Sequence, residues 1–285
     1  KVVMVHVGQI NQLEVVEQLK QSFLLEGGHF GDIPIAKNEL PQGTRLGQQV
    51  KVFVFIDDEG YLAATTEEPF AQVGQVAWLK VIDITPQGAY LDWGLGDEDA
   101  LFLPRQEQQS PVELNRYCLV YVCFEEKKDI YATTYLNDFL QDDASEFKQG
   151  DRVSLIVANQ TELGFKVIVN HQYWGLLYAN EVFQPLYKGQ TVDGYVKKIR
   201  EDQRLDLSLQ TLGFAKVEGS TGDILDKLQQ QRGFLALSDK SSPEAIYDTF
   251  GVSKKVFKQA IGTLFKQQKI SIEAEGIRLV NPKRS

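Results

Sequence analysis

Apolar and polar residues alternate with a period of two through residues 188–210, and this pattern predicts a β-hairpin. Apolar residues or glycine occupy every second position of 192–196, and leucines occupy every second position of 205–209. A charged segment at 200–203 separates the two runs and predicts the turn. A Gly-Gln pair precedes the first run, at Gly189-Gln190. The segment is therefore typical of the closing hairpin of a small antiparallel barrel.

The same pattern occurs twice upstream. Hairpin-like runs lie at 46–65 and 117–133, and Gly-Gln openings lie at Gly8-Gln9 and Gly74-Gln75. The third copy opens at 148–153. Each copy spans roughly 65–75 residues with five strand-like runs, which is the strand number of an OB-type barrel. The sequence therefore predicts three tandem five-stranded barrels, at residues 1–66, 67–144 and 145–212.

Residues 213–285 change to a helical period. Segments 222–231, 241–251 and 253–269 each combine apolar spacing of three and four with helix-start or helix-end residues. Alternating residues at 270–280 predict a final strand pair. Three helices and a hairpin are typical of a winged helix with its third helix in the recognition position. The apolar stripe predicted for that helix contains Val256, Phe257, Ala260, Ile261, Leu264 and Phe265. The predicted fold class is thus mainly β and multidomain, ending in an α+β winged-helix domain.

The net charge of −9 over 285 residues argues against a polyanion partner until its distribution is considered. Residues 66–145 hold 5 basic and 15 acidic residues, whereas 146–212 are neutral and 213–285 carry 12 basic against 8 acidic. A nucleic acid should therefore favour the C-terminal half.

Several classes of function lack support in the sequence. No window approaches the ~18 apolar residues of a membrane span, so we expect a cytoplasmic protein. The three histidines are scattered, and no Cys/His spacing indicates a metal site. No phosphate-binding glycine loop or catalytic arrangement is evident, so we predict neither a cofactor nor an enzyme.

The combination of these domains resembles the bacterial conserved virulence factor B family, a group of S1 RNA-binding proteins. The likeness is carried by VIDI at 81–84, QGAYLDWGL at 87–95, YWGLLY at 173–178, KKIREDQ at 197–203 and DKSSPEAIY at 239–247. The resemblance covers essentially the whole chain. It implies S1-type barrels, RNA binding and a role in regulating gene expression, and it implies no reaction.

S1 and OB barrels bind single strands on the outer face of strands two and three, where aromatic rings stack on bases. The family pattern of strand two, Gly-Ala-aromatic-Val, places Tyr90 outward in the second barrel. The same position holds Lys166 in the third barrel and Phe23 in the degenerate first barrel. Trp93 is expected to face the opposite way from Tyr90 or to lie at the strand end.

Strand three of the family carries a stacking histidine, and no barrel of this chain has one there. The resemblance puts Tyr178 in that place in the third barrel, and Phe102 and Arg105 near it in the second. Packing at a domain interface is the alternative for Tyr90 and Tyr178. Trp174, beside Gly175, is predicted to belong to the core or an interface.

Basic residues supply the phosphate candidates. Lys197, Lys198 and Arg200 lie in the closing hairpin of the neutral third barrel. The winged helix adds residues off the apolar stripe and on the predicted wing, namely Lys254, Lys255, Lys258, Lys266, Lys269 and Arg278. A solvated helix face is the commoner role of such lysines. Because no Asp or Glu interrupts 253–271, a nonspecific or auxiliary nucleic-acid contact is favoured.

We therefore predict a non-enzymatic protein that binds single-stranded RNA, mainly through the third barrel and the winged helix, and regulates gene expression post-transcriptionally. Two alternatives stay open. The acidic barrels favour a protein-interaction adaptor on the ribosome or RNA polymerase. The winged helix favours a DNA-binding transcription regulator.

Overall fold

The computed structural model describes residues 3–57, 59–96, 99–125, 129–182, 184–210 and 214–280, with the backbone only for 214–219. Its first sheet has the strand order β3-β2-β1-β4-β5. Strands β3 and β5 also lie side by side, so the sheet is nearly closed into a barrel. The strands are β1 (Gln9–Gln18), β2 (Ser22–Leu25), β3 (Ile33–Ala36), β4 (Gln49–Ile56) and β5 (Leu62–Thr65).

The second sheet repeats this topology in the order β10-β9-β6-β7-β8. Its two outer strands, β8 and β10, again lie side by side. The first strand is bent by an irregularity between Val81 and Asp83, opposite the second strand. The strands are β6 (Val76–Ile84), β7 (Gly88–Leu91), β8 (Leu101–Pro104), β9 (Tyr117–Glu125) and β10 (Asp129–Thr133).

The third sheet is a closed barrel in the order β11-β12-β13-β15-β14. Closure comes from the parallel pairing of the third and fifth strands, in which Gly175 lies opposite Leu205. The predicted closing hairpin is the antiparallel pair β14 and β15. The strands are β11 (Arg152–Gln160), β12 (Gly164–Val169), β13 (Tyr173–Tyr178), β14 (Thr191–Ile199) and β15 (Leu205–Ser208).

The alternation seen in the sequence becomes an inside and an outside in each barrel, because successive strand residues face opposite ways. In the third barrel the inward positions of β11 and β12 are Val153, Leu155, Val157, Val167 and Val169. They are buried together with Leu205 and Leu207 of the closing hairpin. Of the residues between them, Ser154 and Lys166 are half-buried on the outer side, whereas Ile156 and Ile168 are buried.

The first two barrels share one apolar cluster within a single compact unit, residues 1–140. Phe53 and Phe55 of β4 are buried in that cluster with the core of the second barrel. Trp93 packs edge-on against Phe53 at 5.4 Å between ring centroids, and its Nε1 donates to the Ala71 carbonyl at 2.7 Å. Trp93 therefore faces inward, as the alternation from Tyr90 predicted.

The C-terminal residues form a winged helix. Its helices are α1 (Phe214–Gln230), α2 (Pro243–Phe250) and α3 (Lys254–Lys266), and its strands are β16 (Phe234–Leu235), β17 (Ile270–Ile272) and β18 (Ile277–Leu279), in the order β16-β18-β17. The first helix begins at Phe214 rather than at Gly222. Ser242 and Ser253 accept backbone hydrogen bonds at the starts of α2 and α3, and Gly251 ends α2 in the left-handed conformation.

The predicted fold class is confirmed: three five-stranded barrels are followed by a winged helix. The chain divides into two compact units, residues 1–140 and 141–285. The four domain boundaries proposed from the sequence stay a prediction. Across the described ranges, no helix is long and apolar enough to cross a membrane. Nor does that part of the chain bring three or more His, Cys, Asp or Glu side chains together as metal ligands.

Candidate nucleic-acid interface

A tight Thr-x-x-Gly turn sets the start of the second strand in both the second and third barrels. Thr85 Oγ1 donates to the Gly88 carbonyl at 3.1 Å, and Thr161 Oγ1 donates to the Gly164 carbonyl at 3.0 Å. A Cβ on Gly88 would lie 2.3 Å from the Leu103 carbonyl oxygen, and one on Gly164 would lie 2.0 Å from that of Leu177. Glycine is required because the neighbouring strand passes this close. The turn thereby fixes which residue faces outward two positions after the glycine, namely Tyr90 in the second barrel and Lys166 in the third.

In the third barrel that residue is Lys166, and its ammonium lies over Trp174. Nζ is 3.6 Å from the ring centroid of Trp174, which is a close cation–π contact. Lys166 pairs with Leu176 on the next strand and Trp174 pairs with Ile168, so the two side chains meet diagonally. Burial lowers the pKa of Lys166 below its ordinary value. The aromatic surface on this face is therefore covered by a lysine already partly removed from water.

Tyr178 lies on β13, four residues after Trp174 and on the same face of that strand. Arg200 Nη2 donates to the Tyr178 hydroxyl at 2.8 Å, and Lys197 Nζ lies 5.5 Å from the ring centroid. The structure thus brings together Tyr178, Lys197 and Arg200, which the sequence placed in separate segments. Lys198 is exposed on the same strand as Lys197.

Two cations of this group, Lys197 and Arg200, are each paired with a carboxylate. Lys197 Nζ lies 2.5 Å from Glu181 Oε1, and Arg200 Nε lies 2.7 Å from Asp206 Oδ1. The hydrogen bond to Asp206 raises the pKa of Arg200 above its ordinary value. Asp206 is buried on the outer face, where Lys198 pairs with it in register. As a phosphate site the hairpin is weaker than its sequence predicts, because acidic partners 16 and 6 positions away neutralise Lys197 and Arg200.

In the second barrel, Tyr90 faces outward and is 37% exposed, as predicted. It stands directly opposite Phe102, and the ring centroids are 5.1 Å apart. Arg105 is exposed in the short turn that follows Pro104. The aromatic pair is thus present on an acidic domain, and whether it contacts RNA stays a prediction.

The prediction that Phe23 faces outward is wrong. Phe23 is 6% exposed and belongs to the core of the first barrel, together with Leu25. Lys37 Nζ lies 5.5 Å from the Phe23 centroid. Leu24 faces outward instead, because Phe23 and Leu25 pair with Ile35 and Ile33 on the inner face. The first barrel therefore has no aromatic ring on the described part of its strand two platform.

The lysines of the winged helix lie where the sequence placed them. Lys255, Lys258, Lys266 and Lys269 are exposed and Lys254 is half-buried. In the described residues none of these five forms an ion pair. Phe265 departs from the predicted apolar stripe, since it is 53% exposed while Leu264 beside it is fully buried.

Arg278 is engaged with its neighbours on the wing. It lies on β18, and its Nε and Nη2 contact the two carboxylate oxygens of Glu273 at 2.8 and 3.3 Å. Its guanidinium carbon is also 4.7 Å from the Phe234 centroid. The hydrogen bonds from Arg278 lower the pKa of the Glu273 carboxyl below its ordinary value. The wing arginine is consequently a poorer phosphate ligand than the lysines of α3.

Trp174 was predicted to lie in the core or at an interface, and the structure places it on the outer face of the barrel rather than in the core. In YWGLLY, Tyr173 and Leu177 are buried in the core, and Trp174 shares the outward parity of Tyr178. Trp174 is half-buried, and Lys166 lies over its ring. The outer face of β12 and β13 therefore carries two aromatic rings with cations beside them, and a base can stack on Trp174 only by displacing Lys166.

Comparison with known proteins agrees with this architecture. Residues 222–279 match the model of the CvfB-like winged helix domain, and residues 7–67 match that of the S1 domain. The protein named Uncharacterized protein YitL from Bacillus subtilis is 27% identical over 272 residues, which cover 92% of this chain and 90% of the relative. Conserved virulence factor B from Staphylococcus epidermidis is 27% identical over 282 residues, covering 96% and 94%.

A crystal structure of a multidomain protein with nucleic acid binding domains, from Streptococcus pneumoniae, is 25% identical to this chain. It covers 96% of this chain and 98% of its own, with a TM-score of 0.39. The sequence matches confirm the family resemblance predicted above. S1 domains and winged helices are both nucleic-acid-binding folds, and their presence in one chain indicates nucleic-acid binding.

Proposed function

We propose that this chain, which resembles the conserved virulence factor B proteins along nearly its whole length, is a non-enzymatic protein that binds single-stranded RNA and regulates gene expression post-transcriptionally. The third barrel and the winged helix make the main contacts. Several weak contacts on linked domains sum to a useful affinity when they engage one strand.

The observation that carries the proposal is the outer face of β13. Trp174 and Tyr178 present their rings on one face, with Lys166 above the first and Lys197 and Arg200 beside the second. A base that stacks on an aromatic side chain contributes about 1–3 kcal/mol. Only an unpaired base exposes the face that such stacking needs. RNA rather than DNA is proposed on the strength of the family resemblance.

The proposal is tested by fluorescence anisotropy with single-stranded RNA, single-stranded DNA and duplex DNA of one mixed sequence, at several salt concentrations. We expect single-stranded RNA to bind most tightly. Tyr178→Ala and the double variant Lys197→Ala/Lys198→Ala should weaken it, whereas Tyr187→Ala, at an exposed aromatic of the same barrel, should not. Preference for duplex would overturn the single-strand assignment, and unchanged affinity of the variants would overturn the site.

A second candidate function concerns the second barrel, which pairs a charge of −10 over 66–145 with outward aromatics at Tyr90 and Phe102. This chemistry suits a basic, apolar protein segment on the ribosome or RNA polymerase better than a phosphate backbone. Binding of purified ribosomes or polymerase after nuclease treatment, abolished in Tyr90→Ser/Phe102→Ser, would support it. Loss of RNA binding in the same variant would instead assign the pair to the RNA interface.

A further inference from the structure

Gly262 lies in the middle of α3 without a structural reason among the described residues. Glycine is less favourable than alanine inside a helix, because its backbone loses more freedom on folding. A Cβ built on Gly262 would meet no atom within 4 Å. Its φ is not positive either, so the helix does not need glycine for its path. The packing of the described residues therefore does not account for the absence of a side chain at Gly262.

The neighbours of Gly262 indicate what approaches it. Residues three and four apart share a face of a helix. Lys258, Phe265 and Lys266 stand at those spacings from Gly262, and all three are exposed. Phe265 leaves 53% of its surface in solvent, which is unusual for a phenylalanine on a helix that buries Phe257 completely. The surface is thus a gap without a side chain, bordered by one ring and two lysines.

The positive charge of this surface favours the binding of a polyanion. Neither Lys258 nor Lys266 forms an ion pair with any residue in the part of the chain that the structure describes, and no acidic residue occurs from 253 to 272. A positive surface without internal compensation favours association with phosphates, at a strength that falls with salt.

We propose that a single-stranded nucleic acid crosses α3 at Gly262, with its sugar–phosphate backbone against the bare helix, phosphates on Lys258 and Lys266, and a base stacked on Phe265. The inference deepens the proposed function and rests on it, because it assigns the contact that the winged helix makes with the strand. Phe265 is the base-binding residue of this contact and Gly262 is the position that permits close approach.

A single strand fits this surface better than a duplex. Stacking on Phe265 needs a base whose face is open, and a paired base has its faces covered by its neighbours. Arg278, the wing residue that could hold the backbone of a duplex, is engaged in two hydrogen bonds with Glu273. Glu273 itself places a negative charge on the wing.

The test uses the full chain and the matched pair Gly262→Ala and Gly222→Ala. Gly222 lies in α1, is exposed, and its Cβ would also meet no atom within 4 Å. Both substitutions should raise the melting temperature, because alanine is the better helix former. Only Gly262→Ala should weaken binding of a labelled single-stranded RNA, by about fivefold. Phe265→Ala should weaken it by about tenfold or more, and Phe265→Tyr should retain binding.

Equal affinity of Gly262→Ala, Gly222→Ala and the unaltered chain would overturn the inference while leaving the proposed function intact. Failure of the unaltered chain to bind single-stranded RNA would overturn the proposed function itself. Duplex DNA that binds more tightly than the single strand, and that loses affinity in Gly262→Ala, would assign the surface to a duplex and overturn the single-strand assignment.

Discussion

Two basic surfaces of the C-terminal unit differ in how their charges are compensated. On the third barrel, Lys197 pairs with Glu181 and Arg200 pairs with Asp206, and Arg200 also holds the hydroxyl of Tyr178. On the winged helix, the lysines of α3 have no acidic partner among the described residues. On the first surface two of the cations, Lys197 and Arg200, are neutralised and Lys198 stays exposed, whereas the lysines of the second surface keep their full charge.

This difference separates two contributions to binding. A cation held by a carboxylate has a fixed position and little charge left over, so its main effect is to orient the aromatic ring beside it. An unpaired lysine attracts phosphate over a distance of about a Debye length, and salt weakens that attraction. We expect the barrel to supply stacking that resists salt and the helix to supply affinity that depends on salt.

The largest effect should come from removing the free charges of α3 and of Lys269 just after it. Replacing Lys255, Lys258, Lys266 and Lys269 together by Gln should weaken single-stranded RNA binding by about 100-fold at physiological salt. It should also lower the salt slope by about 0.7 for each phosphate that the variant no longer neutralises. Anisotropy titrations at several salt concentrations measure both. A loss of affinity with an unchanged slope would contradict the electrostatic role.

Removal of the ring under Lys166 should have the next largest effect. Trp174→Ala should weaken RNA binding by about 10-fold or more at low and high salt alike, because a base that displaces Lys166 can no longer stack on the ring. The control is Tyr187→Ala, at a ring of the same barrel that is exposed outside the strands. An effect that disappears at high salt would mean that Trp174 acts through Lys166 rather than by stacking.

The loss of stability of the third barrel should depend on which ion pair is removed by substitution. Asp206 is 11% exposed in its pair with Arg200, so Asp206→Ala should cost about 1–3 kcal/mol of unfolding free energy by leaving a half-buried guanidinium unpaired. The Arg152–Asp193 pair is 69% and 64% exposed, so Asp193→Ala should cost less than about 1 kcal/mol. Urea unfolding of both variants measures the difference, and equal costs would refute it.

The smallest effect should be a gain. Glu181→Gln removes the carboxylate that compensates Lys197, and the released ammonium can then contact phosphate. We expect RNA affinity to rise by about two- to fivefold, with a steeper salt dependence. Glu162→Gln, in the turn before β12, is the control for a loss of negative charge on the same barrel. An unchanged affinity in Glu181→Gln would show that Lys197 is too far from the strand to matter.

Strand parity explains why one platform aromatic was predicted correctly and another was not. Tyr90 shares the parity of the polar residue Asp92, and Ala89, Leu91 and Trp93 take the other parity, so alternation has one solution. Phe23 lies beside Leu24 and Leu25, and three apolar residues in a row fit either face. The S1 family pattern favoured the outward face for Phe23, but the register with Ile35 placed it inside. Alternation predicts which face a strand residue takes only where polar residues separate the apolar ones.

Phe265 shows the same limit for a helix. An apolar stripe that includes both Leu264 and Phe265 is wider than the face that the winged-helix core covers. The helical period gives the direction of each residue, but the width of the covered face depends on α1, α2 and the sheet that pack against it. The sequence could not exclude Phe265 from the core, and its exposure became visible only in the packed domain.

What followed from the chain alone was local: the strand and helix periods, the capping serines at 242 and 253, and the Gly-led strands that repeat between barrels. These depend on residues a few positions apart and on backbone sterics. The pairing of Lys197 with Glu181, of Arg200 with Tyr178 and of Lys166 with Trp174 joins residues 8 to 22 positions apart. Such contacts depend on strand register and on closure of the barrel, and these determine which charges at the candidate interface are compensated and which stay available to a ligand.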